Sequence, residues 1–179
     1  MLLLITTLAT GGCASLSQTQ CVQGDWYGIG HEDAWSGHTP DRVQAHAKAC
    51  AEYAVVPKQG RYREGFEAGL LEFCTAERGF EFGREGGYYA GTCPASVSAT
   101  FLAAYRQGRA LYRLERDIVE LELEQQRLES LLLSSVGEHS RARRHRLWLR
   151  HRLLELDYAL DTLRFELLAH DRCRVCTRP

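Results

Sequence analysis

The sequence predicts an all-α protein: a small disulfide-stapled helical domain followed by a long antiparallel helical hairpin. Three observations lead there. Leu111, Leu114, Ile118, Leu121, Gln125, Leu128 and Leu132, then Leu149, Leu153, Leu156, Leu160, Leu163 and Leu167, recur at alternating spacings of three and four, the heptad seam of two paired helices. Seven cysteines are spread through 179 residues. The N-terminal half carries helix start signals and amphipathic stripes punctuated by Gly and Pro.

At this length the chain makes one domain, or one small domain plus an extension. Its 22 basic and 23 acidic side chains nearly cancel, so no global field points to nucleic acid. Only Lys48 and Lys58 are lysines; the other basic side chains are the forked, bidentate guanidinium.

Residues 1–12 run from Leu2-Leu3-Leu4-Ile5 to Thr10-Gly11-Gly12, meet Cys13, and give way to polar Ala14-Ser15-Leu16-Ser17-Gln18. An apolar run ending in small residues and one Cys resembles a bacterial lipoprotein signal. The resemblance implies that residues 1–12 are removed and Cys13 is lipidated, with 13–23 as lipidated residue and tether, Ala14 to Gln20 being the polar stretch. No Asp follows Cys13, which by the same resemblance implies the periplasmic face of the outer membrane. The run lacks the basic start of a secretory signal, and a start codon assigned too far downstream accounts for that. It is too short to span a bilayer, which takes about 20 residues. Several acyl chains on one residue anchor stably where a single chain is marginal.

Without Cys13, six cysteines remain: Cys21, Cys50, Cys74, Cys93, Cys173 and Cys176. An even number in an exported chain reads as a disulfide framework, with 15 connectivities open. Cys173-x-x-Cys176, in a tail over 171–179, has no second pair at zinc spacing and no βαβ context. It reads as a local disulfide or a staple to the body, with no metal and no cofactor.

The small domain covers 24–95. Its first helix is Gly24–Gly37, with Asp25 in or before the first turn and Gly37 at the C-terminal side. Thr39-Pro40-Asp41 starts the second, Thr as N-cap and Pro at N1; Val43, Ala47, Cys50 and Ala51 share a face, and Val55-Val56-Pro57 ends it. The third runs from about Gln59 to Ala76 on a stripe of Tyr62, Phe66, Gly69, Leu70 and Phe73, with Gly79 as its C-cap. The glycine-rich Gly79–Pro94 stretch reads as a short imperfect helix or ordered turn, although Phe80 and Phe82 alternate as in a strand.

An aromatic–glycine spacing recurs. Trp26 precedes Gly30 by four; Tyr62, Phe80 and Tyr105 precede Gly65, Gly83 and Gly108 by three. On a helix this sets a ring beside a gap, and the expected use is interlocked packing. The alternative is a face of exposed rings for stacking on sugars.

The residues Gly12-Cys13-Ala14-Ser15, Cys21, Gly24-Asp25-Trp26, Ile29-Gly30, Asp33, Cys50, Tyr62, Gly65, Gly69, Cys74, Gly83, Gly86, Tyr88, Cys93-Pro94, Tyr105 and Gly108 resemble an uncharacterised family of bacterial lipoproteins with a domain of unknown function, the DUF2799 type. The resemblance covers roughly Cys13 to Gly108. Ala34 departs from it, where the family tends to show Asp-Gly. It implies an exported four-cysteine domain and supplies no activity. Two antiparallel helices would bring Cys21 near Cys50, and Cys74 and Cys93 flank the glycine-rich stretch. The pairs 21–50 and 74–93 are therefore expected, each contributing about 3 kcal/mol by restricting the unfolded chain.

The hairpin covers 96–170, with Ser96 as N-cap and Ser134-Ser135-Val136-Gly137 breaking the run. A short connection favours antiparallel arms of roughly 40 to 50 Å at 1.5 Å per residue, with Gln125 as a polar register marker. Glu129 is expected near Arg143 and Glu122 near Arg150. Arg141, Arg143, Arg144 and Arg146 outnumber nearby acids at the tip, which suits anionic headgroups, lipopolysaccharide phosphates or peptidoglycan carboxylates. Pairing of the seam between two molecules is the alternative.

Catalytic signatures are absent. His31 and His38 are seven apart, too wide for a zinc-helix pair, and no nucleophile elbow, phosphate loop or dinucleotide fingerprint appears. Ser–His–Asp sets mean nothing without geometry. The candidate interaction surface is Trp26, Asp33, Tyr62 and Tyr88 with the four tip arginines, Asp33 being the best acid if one acts. The sequence thus reads as a non-enzymatic, outer-membrane-anchored periplasmic lipoprotein. Its role would be structural or protein-interacting, its partners the membrane and an unknown envelope protein. A cell-wall glycan (peptidoglycan) binding or glycan-acting module is the alternative; buried Trp26, Trp35, Tyr62 and Tyr88 would speak against it.

Overall fold

A computed structural model describes residues 15–135 and 140–176, with side chains through 170. The signal segment, Cys13 and the side chains of Cys173 and Cys176 lie outside the described residues. Seven α-helices follow one another among the described residues: α1 Gln18–Gln23, α2 Trp26–Trp35, α3 Arg42–Cys50 with a 3-10 turn at Ala51–Tyr53, α4 Gln59–Phe73, α5 Ala76–Arg84, α6 Ala95–Ser134 and α7 Ser140–Cys176. There is no strand among the described residues. The all-α class, the stapled domain and the long hairpin are all present.

Two compact units form, 15–79 with 87–102 and 80–86 with 103–176. The C-terminal part of α5 groups with the hairpin, and the first turns of α6 with the body.

In the first unit the segment expected to be a tether is folded. Ser17 caps α1 in a capping box with Gln20, and Gly24 closes it in the left-handed conformation at φ 64°, which glycine adopts without strain. Leu16 is buried with Cys21, Trp26, Ala34, Cys50, Tyr62 and Phe66. Asp25 caps α2 by accepting from the Gly28 N–H at 3.0 Å. Thr39 does not cap α3, because a turn comes first: the Arg42 N–H bonds the Thr39 carbonyl and Asp41 takes the cap position. Disulfides Cys21–Cys50 and Cys74–Cys93 close as expected, with Cα atoms 5.4 and 5.6 Å apart. Phe101 stacks against Phe73 and Tyr89 beside the second staple.

The crossing of α2 and α4 explains the aromatic–glycine spacing. A Cβ added at Gly30 would overlap the Tyr62 carbonyl oxygen, and one at Gly65 would overlap the Tyr27 carbonyl oxygen. Each glycine receives the carbonyl of the aromatic residue three positions before its partner. The backbones approach as closely as only glycine allows. Gly79 is not a C-cap; it lies inside α5 against the Phe101 carbonyl.

The second unit uses the same device. Gly83 receives the carbonyl of Tyr105, and Gly108 that of Phe80. Arg84 pairs with Glu115, and Arg109 donates to the Gly86 carbonyl at 2.8 Å. Leu128, Leu149 and Leu156 are buried in the hairpin seam, with Leu121, Leu132 and Leu153 against them. Gln125 donates to Asp157 at 2.7 Å across the arms. The register differs from expectation: Glu122 pairs with Arg164 at 2.7 Å rather than with Arg150, and Glu129 does not meet Arg143. The reason lies at the tip. Ser135, at the end of α6, accepts from Arg146, so the opening turns of α7 pass before the arms meet. Arg141, Arg143 and Arg144 are exposed on those turns, and Arg146 is half-buried.

The close crossing sets an expectation. Gly65→Ala forces α4 off α2 and costs at least about 1–3 kcal/mol. Gly60→Ala, where an added Cβ meets nothing within 4 Å, is neutral or gains up to about 1 kcal/mol. Urea unfolding of the two variants beside the parent checks the contrast.

Candidate functional site

A carboxylate is buried where α2, α3 and α4 meet. Asp33, in the last turns of α2, is 7% exposed. A lone carboxylate at that depth is costly, and two hydrogen-bond partners and one cation offset the cost. Tyr62 on α4 donates its hydroxyl to Asp33 Oδ2 at 2.7 Å. His46 on α3, 1% exposed, sets Nε2 at 2.7 Å from the same oxygen. Arg42, one turn before His46, brings Nε to 3.1 Å from Oδ1. That N–H does not point at the oxygen, so this contact is an ion pair rather than a hydrogen bond.

The network reaches back to the N-terminus: Ser15 Oγ lies 2.9 Å from His46 Nδ1. An ionised carboxylate only accepts, so in the neutral imidazole the tautomer with the proton on Nε2 suits Asp33 and leaves Nδ1 as acceptor. The Ser15 hydroxyl then donates to Nδ1.

Ser15, Asp33, Arg42 and His46 line a cleft of about 390 Å³, with Leu16, Asp25, Ile29, Glu32 and His38 among its other walls. This falls within the range of small-molecule sites. Burial, then the Arg42 guanidinium, hold the His38 imidazole below its ordinary pKa, so it is neutral at pH 7. Burial, then the hydrogen bond to Asp33, push the Tyr62 hydroxyl well above its ordinary value.

Of the residues singled out by sequence, Asp33 and Tyr62 meet here. Trp26 does not: at 2% exposed it belongs to the core. Trp35 lies under the Arg78 guanidinium, 4.9 Å from its ring centre. Tyr88 is 84% exposed and does not line the cleft. None of the four rings lines it, so no sugar-stacking platform surrounds Asp33. His31 faces Glu72 on α4 at 3.3 Å, apart from His38. No group of three metal-binding side chains forms among the described residues. Ser15, Arg42 and His46 escaped the sequence analysis. Arg42, His46 and Cys50 are spaced by four, so the buried Cys50 marked the inward stripe of α3.

Residues 25–110 match the family model described as a protein of unknown function, DUF2799. The matched segment contains Asp33, Arg42, His46, Tyr62 and both aromatic–glycine crossings, while Ser15 and most of the hairpin lie outside the match. No curated protein and no solved structure matches the chain.

The raised Tyr62 pKa gives a pH dependence. Above the ordinary phenol value of 10, the unfolded chain loses the Tyr62 proton and the folded chain keeps it. The unfolded state then binds fewer protons, so stability falls as pH rises. Parent protein loses up to about 1.4 kcal/mol per pH unit above 10 relative to Tyr62→Phe, read as the difference between their urea-unfolding free energies at pH 9, 10 and 11.

Proposed function

We propose that this chain is a lipid-anchored protein of the bacterial outer membrane, facing the periplasm, whose hairpin is an interaction arm for a helical envelope partner. The observation that carries the arm is a second apolar stripe on α7. Leu147, Leu154, Tyr158, Phe165 and Leu168 are all exposed, at spacings of seven, four, seven and three. The seam of Leu149, Leu153, Leu156 and Leu160 already faces α6, so this stripe is surplus to the hairpin. A heptad-spaced face of this kind suits another helix.

The two closed disulfides support export, since such bonds persist in oxidising compartments. No helix among the described residues is long and apolar enough to cross a membrane, so attachment falls to Cys13. Ser15 already contacts His46 of the body two residues after Cys13, and an extended chain covers at most about 3.6 Å per residue. The body is then held against the bilayer surface, and the hairpin is the element with a helical face to offer a partner.

Intact-mass and non-reduced peptide mass spectrometry of the protein from its native envelope tests the anchor. The expected species begins at triacylated Cys13 with Cys21–Cys50 and Cys74–Cys93 oxidised; an unmodified N-terminus with free thiols overturns it. For the arm, a photo-crosslinking residue at Phe165 is expected to give a discrete adduct in cells, and one at exposed Arg150 none. Equal yields from the two positions overturn the arm.

A further inference from the structure

The chain from Ser15 through His46 to Asp33 supports a chemistry that goes beyond anchoring and departs from the expected absence of catalysis. It does not depend on lipidation of Cys13. Three requirements of an activated serine are met. A base sits within hydrogen-bond reach of the hydroxyl, at 2.9 Å. The base is oriented by an acid, Asp33, at 2.7 Å from its other nitrogen. The geometry favours the useful tautomer of a neutral imidazole, because an ionised Asp33 accepts a hydrogen bond from Nε2–H and leaves Nδ1 free to take a proton.

The surroundings keep this arrangement in place. Tyr62 and Arg42 hold Asp33 from two further directions, and His46, 1% exposed, has no room to swing away. Ser15 and Arg42 both line the cleft, so nucleophile and guanidinium border one space. A cation there suits a developing negative charge on oxygen. The cleft, about 390 Å³, admits a small ester.

We propose that Ser15 is a nucleophile toward small carboxylic esters, with His46 as its general base, Asp33 as the positioning carboxylate and Arg42 as the cation for the oxyanion. The Ser15 Oγ–carbon bond forms at the acyl carbon while the hydroxyl proton passes to His46 Nδ1. The carbonyl electron pair moves onto oxygen. On collapse the bond to the leaving alcohol breaks, and that alcohol takes the proton from Nδ1. Water repeats the sequence on acyl-Ser15, releasing the acid and restoring the hydroxyl.

A fluorophosphonate added to the full-length protein in detergent tests this directly. Attack forms a phosphorus–oxygen bond at Ser15 and breaks phosphorus–fluorine; the proton goes to His46 and fluoride leaves. The expected result is one adduct, placed on Ser15 by peptide mass spectrometry and absent from Ser15→Ala, a variant that retains the parent's helical circular dichroism. His46→Gln is expected to label at least about 100-fold more slowly. Ser17, whose hydroxyl bonds Gln20, is the internal control. No adduct on the parent, or equal labelling of Ser15 and Ser17, overturns the proposal. So does undiminished labelling in a His46→Gln protein that melts like the parent.

Discussion

The contact on which the fold turns is a backbone carbonyl seated on a glycine of a neighbouring helix. It occurs reciprocally, Tyr62 onto Gly30 and Tyr27 onto Gly65, and again as Tyr105 onto Gly83 and Phe80 onto Gly108. No side chain separates the helices at these points, so their relative placement is set by backbone atoms, which cannot repack as side chains can. Of the rings three residues before these glycines, that of Tyr62 is packed beside its crossing. Tyr62 is 2% exposed and its ring centre lies 6.1 Å from that of Phe66. Two glycines in ten residues of α2 would weaken an isolated helix by roughly 1 kcal/mol each, and tertiary contact must offset this. Gly30, one of the two that weaken the helix alone, is the one that permits the contact.

That placement produces the polar site. With the Tyr62 carbonyl on Gly30, the Tyr62 hydroxyl reaches Asp33, one turn further along α2. Burying a carboxylate, an imidazole and part of a guanidinium together gains little net stability, since desolvation cancels most of the attraction. It does penalise any arrangement of α2, α3 and α4 that leaves one of them unpaired. The Cys21–Cys50 bond acts on the same geometry from outside. It joins α1, just after the Ser15 segment, to α3, one turn past His46, across a separation of 29 residues. Closing such a loop contributes about 3–4 kcal/mol through the unfolded chain. Ser15 and His46 are thus kept together by a covalent link as well as a hydrogen bond.

What was legible in the sequence follows from how local each determinant is. The seam leucines are spaced by helix geometry alone, and each one named lies buried or half-buried. The two disulfide partnerships follow from helix order. The ion-pair register across the hairpin was not legible, because it depends on where along α7 the arms first meet, which no local pattern encodes. The polar composition of 14–20 suggests a tether although Ser17 and Gln20 spell the capping box of α1; the burial of Leu16 that makes it part of the body is a tertiary fact. Gly79 suggests a helix end because glycine there commonly supplies a left-handed residue. Its work is instead to admit the Phe101 carbonyl. The His46 site was hidden because a lone histidine on a helix acquires meaning only from Asp33, Tyr62 and Ser15, three segments away.

The two crossings also show why a buried polar network forms at one of them. Aligned on their glycines, Gly30 corresponds to Gly83, Gly65 to Gly108 and Tyr62 to Tyr105. The position three after the first glycine is then Asp33 in one crossing and Gly86 in the other. Gly86 has a φ of 80°, and its carbonyl accepts from Arg109. The backbone there turns to leave α5 and offers no carboxylate, so nothing at that position can orient a base. At the first crossing α2 continues for two more residues beyond Asp33, which keeps the carboxylate on a helical turn aimed at α3. One packing device therefore serves both units. The residue one turn beyond its glycine decides whether the crossing remains a joint or also holds a buried acid, and with it the serine and histidine that depend on that acid.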